Sequence, residues 1–169
     1  MSRFSPYLAF LIAACCMSLL FIALYMEWVD GLIPCALCYA QRFAFVIIAV
    51  CACLYMLPFY TSKLIFSSLM ASFALIGIWL SGRQLWLQSL PEDKVPACGP
   101  DIYFIMERLP FSESLQSMLF GSGSCAEVQW TLLGISIPGW TFIFFLLILI
   151  ASVWLMLFRG TPPFRLFKK

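Results

Sequence analysis

No histidine occurs among the 169 residues. Its absence removes the commonest general base and metal ligand, together with histidine-ligated haem and the usual serine hydrolase arrangement. Charge is scarce as well. Charged side chains make up 11% of the chain and hydrophobic ones 63%, against about 45–50% apolar residues in a soluble domain. That balance excludes a water-soluble globule and points to an integral membrane protein. The net charge is only +2, and no basic tract interleaved with aromatics suggests nucleic acid. No flavin, haem or iron–sulfur motif is visible. Of the side chains that carry chemistry, the eight cysteines are what remains.

Uncharged stretches at 4–26, 43–62, 64–82 and 139–158 are each near the roughly 20 residues needed to cross a bilayer. They predict an all-α, integral membrane four-helix bundle forming one membrane domain. Its helices are expected over about 6–26, 40–60, 64–84 and 139–158, joined by outer loops over about 27–39 and 85–137. The first stretch contains Ile12-Ala13-Ala14-Cys15, which looks like a lipoprotein processing site. The apolar run continues to Met26, too long for a signal sequence, so it is read as a retained span.

Charge sets the expected orientation. With both termini and Lys63 on one side, that side holds Arg3, Lys63, Arg159, Arg165, Lys168 and Lys169 and no acid. The other side receives all eight acids, Glu27, Asp30, Glu92, Asp93, Asp101, Glu107, Glu113 and Glu127. The positive-inside rule therefore places both termini in the cytoplasm, and Trp28, Trp86, Trp130 and Trp140 fall at the outer boundary.

This topology puts Cys35, Cys38, Cys98 and Cys125 outside, in an oxidising compartment, and leaves Cys15, Cys16, Cys51 and Cys53 in the membrane as small packing residues. Cys35 and Cys38 lie in Pro34-Cys35-Ala36-Leu37-Cys38-Tyr39-Ala40-Gln41-Arg42, just before the second span. A helix starting near Cys38 or Tyr39 would favour a thiolate at Cys38 through its unpaired N–H groups. Arg42, four residues on, would set its cation on the same face, to hold that thiolate or the oxygen of a reduced acceptor. By spacing alone the pair is equally a metal half-site or a packed-away pair.

The long outer loop carries the other two sulfurs. Cys98 sits in the turn-rich Pro96-Ala97-Cys98-Gly99-Pro100, and Cys125 follows the flexible Gly121-Ser122-Gly123-Ser124. Between them Ser112 is expected to cap a short amphipathic helix with Leu115, Met118 and Leu119 on one face, lying on the bilayer surface. A Cys98–Cys125 bond would close a loop of about 28 residues, worth about 3–4 kcal/mol as a staple. Two pairs in one outer space suggest thiol–disulfide exchange from a soluble dithiol to the loop pair and then to the membrane pair. A lipid-soluble quinone at the head of the second span suits the role of electron sink, with Gln88 a candidate hydrogen-bonding partner or a solvated interfacial amide. Two other classes stay open: a non-catalytic tetraspan scaffold with structural disulfides, and a four-thiolate zinc or copper(I) site.

The Pro34–Arg42 stretch, the turn around Cys98, and the run Gly121-Ser122-Gly123-Ser124-Cys125-Ala126-Glu127-Val128-Gln129-Trp130 with Leu133-Gly134 and Pro138 together resemble the bacterial disulfide bond formation protein B family over nearly the whole chain. The resemblance implies an inner-membrane protein that reoxidises a periplasmic thioredoxin-fold thiol oxidase of the DsbA type and reduces ubiquinone or menaquinone, with no metal. It implies that Cys98 forms the mixed disulfide with the partner, that Cys125 is its mate, and that Cys38 of the Cys35–Cys38 pair faces the quinone. Arg42 matches the family's quinone-site arginine. Gln88 is carried over only by approximate spacing, because Glu92-Asp93-Lys94 intervenes before Cys98, and Gln41 stands where a family member has an acid. Vitamin K epoxide reductases are also small helical bundles with Cys-x-x-Cys, but there the motif belongs to a later helix.

Overall fold

A computed structural model describes residues 4–32, 34–57, 62–91 and 125–158. Helix α1 spans Phe4–Trp28, α2 Ala36–Tyr55, α3 Ser62–Gln88 and α4 Ile137–Leu157. Between α3 and α4, strands β1 (Thr131–Leu132) and β2 (Ile135–Ser136) pair antiparallel. Each helix is long and apolar enough to cross a membrane. At 1.5 Å per residue, the 27 residues of α3 extend roughly 40 Å, beyond a hydrocarbon core of about 30 Å.

That excess length places chemistry. Helix α3 runs past the expected end near residue 84, so Gln84 and Gln88 occupy successive turns of one face. Helix α2 begins at Ala36 rather than near Cys38 or Tyr39. Cys35 is its N-cap in extended conformation, with φ −78° and ψ 169°, and Pro34 before it disfavours helix in the preceding chain. Ala36 and Leu37 are good helix formers and extend the first turn back to the cap. Pro138 lies in the first turn of α4, where its missing N–H costs nothing.

The hairpin was not expected. Its two-residue turn is Leu133-Gly134, with φ of 55° and 78°, the left-handed pair that matches strand twist. Glycine takes that geometry freely; the leucine is held in it by the flanking pairs Thr131↔Ser136 and Leu132↔Ile135. The helix expected around 112–119, and Cys98, lie outside the described residues.

Helix α2 packs between α1 and α3, and α3 packs along α4. Lipid tails are as apolar as leucine, so the bundle is held by close contact rather than by exclusion of water. Ala9, Ala13, Ala44, Ala49, Ala52 and Ala74 line the interior and let the helices approach. The Phe45 and Phe145 rings stack at 4.0 Å and 9°. The other edge of Phe145 lies on the α3 backbone at Gly77, where a Cβ would run into the ring. Phe10, Phe21, Ile65, Ile150 and Leu157 are exposed and face outward. Where α1 starts and α2 ends, the Ser5 and Tyr55 hydroxyls bond at 2.6 Å, beneath the Lys63 ammonium.

This packing yields a stability test. Gly77→Ala is expected to cost about 1–3 kcal/mol through overpacking, seen as a lower thermal midpoint in detergent. Gly82→Ala places its Cβ 3.7 Å from Phe142, an ordinary contact, and is expected to be neutral or mildly stabilising. Equal losses at the two sites would refute the account of Gly77.

Candidate functional site

The site is built at the start of α2. Spacing three residues apart across the cap and first turn brings Cys35 Sγ and Cys38 Sγ to 3.0 Å, a short movement from the about 2.05 Å of a disulfide. Gln84 reaches them from α3. Its Nε2 donates to Cys38 Sγ at 3.3 Å and to Cys35 Sγ at 3.4 Å. Its Oε1 accepts from Gln41 Nε2 at 2.8 Å. Gln41 Oε1 in turn accepts from the Thr141 hydroxyl of α4 at 2.7 Å. Gln41 and Gln84 are 3% and 4% exposed, so these bonds satisfy amides that burial would otherwise penalise.

A third sulfur arrives from the segment before the hairpin. Cys125 is fully buried in a small apolar cluster with Leu37, Leu80 and Leu87, and Cys35, Ala40, Leu90 and Ala126 pack around it. Hydrogen bonding with Cys125, then with Cys38, together with burial, pushes the Cys35 thiol well above its ordinary value. Cys35 therefore stands between two sulfurs. Cys98, the sequence-based mate of Cys125, lies outside the described residues.

Arg42 does not turn its cation onto Cys38. Its Nη1 pairs with the Glu27 carboxylate of α1, and Nη2 donates to the Ala23 carbonyl at 3.1 Å. The guanidinium carbon lies 5.4 Å from the centre of the Tyr39 ring, whose hydroxyl donates to Glu27 at 3.3 Å. The i,i+4 spacing puts Arg42 and Cys38 on neighbouring turns, but a carboxylate on the adjacent helix captures the long arginine side chain. Gln88 is also engaged: its Oε1 accepts from the Ser136 hydroxyl at 2.8 Å. The amide at the sulfurs is Gln84, one turn before Gln88, which the sequence marks as a hydrogen-bonding partner for a quinone oxygen. Extending the third helix past residue 84 would have shown that the two glutamines share a face.

Beside the sulfurs lies a cavity of about 390 Å³. It is flanked by α1 through Leu19, Leu20, Ala23 and Met26, and by α4 through Pro138, Trp140 and Phe144. Cys35, Cys38, Gln41, Gln84, Gln88, Glu127, Gln129, Thr141 and the Arg42–Glu27 pair supply its polar groups. Its wall is otherwise apolar, which suits a flat or oily molecule with hydrogen-bonding atoms at one end.

Four membrane-crossing helices that hold a close dithiol, with a further buried sulfur against it, define a multi-pass membrane protein of thiol–disulfide chemistry. The comparisons with known proteins agree. The profile of the family described as Disulfide bond formation protein DsbB matches residues 5–155. Disulfide bond formation protein B of Marinobacter nauticus is 46% identical over 163 residues, covering 95% of each chain. That of Hahella chejuensis is 50% identical over 127 residues, covering 73% of this chain and 76% of its own. That of Nitrosococcus oceani is 42% identical over 145 residues, covering 83% and 85%. The chain belongs to the DsbB family of disulfide bond formation proteins.

The raised Cys35 thiol has a measurable sign. A raised value keeps Cys35 protonated, and so slow to alkylate, at pH 8. Cys125→Ala removes the largest cause of the rise. Site-resolved alkylation of the reduced protein at pH 8 is expected to be faster at Cys35 in that variant, and an unchanged rate would count against the contact.

Proposed function

We propose that the protein is a membrane thiol:quinone oxidoreductase of the bacterial inner membrane, with both termini cytoplasmic. In this reading it reoxidises a periplasmic thioredoxin-fold thiol oxidase of the DsbA type and passes the electrons to ubiquinone or menaquinone. The observation that carries the proposal is that buried Cys125 packs against Cys35, which with Cys38 lines one largely apolar cavity.

Exchange runs through the sulfurs in order. A partner thiolate attacks Cys98 of a Cys98–Cys125 disulfide, forming the mixed disulfide and releasing Cys125 as a thiolate. Cys125, packed against Cys35, attacks that sulfur of a closed Cys35–Cys38 pair, and Cys38 leaves as a thiolate. The partner's second thiol resolves the mixed disulfide and frees Cys98. Cys98 then attacks Cys125, restoring the loop bond and leaving Cys35 reduced. The sum is one partner disulfide gained and one Cys35–Cys38 disulfide opened, with two electrons moved and none left over.

The cavity's composition fits a quinone. Its apolar wall suits the ring and isoprenoid tail, and in this reading Arg42 and Gln88, which line it, donate hydrogen bonds to ring oxygens. Two of the guanidinium's five N–H groups suffice for Glu27 and Ala23, and Gln88 keeps an amide donor while its carbonyl serves Ser136. When bound, a quinone would supply a sink for the two electrons and two protons released as Cys35 and Cys38 close to a disulfide. Glu27 holds Arg42 at the cavity edge, and the apolar wall keeps water from the sulfurs.

The test uses purified protein in detergent with a reduced thioredoxin-fold partner. Partner oxidation is expected only when quinone is supplied. Cys38→Ser should abolish quinone reduction and Cys98→Ser partner oxidation. Arg42→Ala should raise the apparent quinone KM by about tenfold, the loss of one charge-assisted hydrogen bond. Disulfides that remain closed toward both partner and quinone would reduce the molecule to a braced tetraspan scaffold.

A further inference from the structure

Three neutral side chains from three helices form one directed chain. The Thr141 hydroxyl donates to Gln41 Oε1 at 2.7 Å, Gln41 Nε2 donates to Gln84 Oε1 at 2.8 Å, and Gln84 Nε2 faces both sulfurs at 3.3 and 3.4 Å. An amide has a donor end and an acceptor end, and an isolated buried glutamine can present either one. Here the choice is made remotely. With Gln41 Oε1 occupied by a hydroxyl hydrogen, only its NH2 group points to α3, so Gln84 turns its carbonyl to Gln41, where it also lies 3.8 Å from the Cys38 thiol as an acceptor, and its NH2 group to both cysteines.

We propose that Gln84 is a catalytic residue that steadies negative charge on Cys38, and that Gln41 and Thr141 are positioning residues that fix its polarity. The inference takes from the proposed function only that Cys38 carries the electrons into the membrane. Its logic is one of supply. The chain has no histidine, and the nearest guanidinium is drawn to Glu27 and Ala23. Besides Cys35 itself, which lies 3.0 Å from Cys38, the Gln84 carboxamide donates to the sulfurs without bringing a charge into the bundle, where an unpaired charge is costly. A hydrogen bond to a charged sulfur is stronger than one to a neutral thiol or disulfide. Gln84 therefore favours the open, reduced state in which Cys38 acts as nucleophile.

Thr141 is the weak point of the chain. Its oxygen also lies 3.0 Å from the Pro138 carbonyl, and a single hydroxyl hydrogen serves one acceptor at a time. When that hydrogen points to Pro138, nothing holds Gln41 Oε1. The polarity of the chain is then released at its far end, about two side chains away from the sulfurs.

The experiment uses the full-length reduced protein in detergent, with neither quinone nor partner present. The alkylation rate of Cys38 by a small uncharged reagent is followed by mass spectrometry at fixed pH. Gln84→Met preserves length without a donor and is expected to slow Cys38 by about tenfold. Gln41→Met and Thr141→Val, which leave Gln84 in place, are expected to slow it by about threefold. Cys53, exposed on the same helix, reports on the fold and should keep its rate. In turnover, Gln84→Met should lower kcat at saturating quinone, which separates the lost sulfur contact from any change that its place in the cavity lining makes to quinone KM.

A Cys38 rate within about twofold of wild type in Gln84→Met would overturn the role of Gln84. Slowing in Gln84→Met with unchanged rates in both Gln41→Met and Thr141→Val would overturn the directed chain. If Gln84→Met perturbs Cys53, the other two variants decide: slowing at Cys38 supports the chain, and wild-type rates overturn it. Because alkylation needs no quinone, failure of quinone reduction with these rates as expected would sink the proposed function and leave this inference standing.

Discussion

Within lipid a buried polar group has no water to turn to and must find its partner inside the chain. The rest of this structure depends on how that constraint is met. Most of the bundle meets it locally: the Ser67 and Ser81 hydroxyls bond back to carbonyls of their own helix, at Leu64 and Gly77. Gln41, Gln84 and Thr141 meet it across helices, and their shared solution ties α2, α3 and α4 together at the level of the dithiol. Among the described residues Ser152 Oγ is the one buried side-chain N or O atom without a hydrogen-bond partner.

The site has two unlike sides. On one, fully buried Cys125 sits in a cluster of leucines, with the partly buried Cys35 packed against it. On the other, Cys38 borders a cavity between helices that otherwise scarcely touch, α1 and α4. A sulfur relay profits from this division. In the proposed relay, exchange between thiols needs close sulfurs, which pack together on the first side, whereas exchange with a lipid-soluble molecule needs room and lateral access. The one-turn offset between cap and first turn of α2 lets two cysteines face both sides at once.

Much of this was legible in the residues. Four uncharged stretches foretold four membrane helices, since a bilayer demands length and apolarity and little else. The Cys-x-x-Cys spacing foretold a close pair, because three residues across a helix start span one turn. Gln84 was missed because the expected third helix stopped at it. The apolar run ends near Gly82, while the helix continues through Gln88, because backbone hydrogen bonds need no apolar side chains. The hairpin was missed because two-residue strands carry no periodicity, although Leu133-Gly134 marks a turn.

By itself the sequence determined the class of protein, the spans, and which cysteines meet through local spacing, because all three follow from hydrophobicity and helix geometry over a few consecutive residues. Only the tertiary structure decided that Cys125 would lie against Cys35, that Arg42 would turn to Glu27, and that Gln84 rather than Gln88 would reach the sulfurs. Each of these depends on how one helix is rotated against its neighbour. That rotation is settled by contacts such as Phe145 on Gly77, between residues 68 positions apart, which no local pattern encodes.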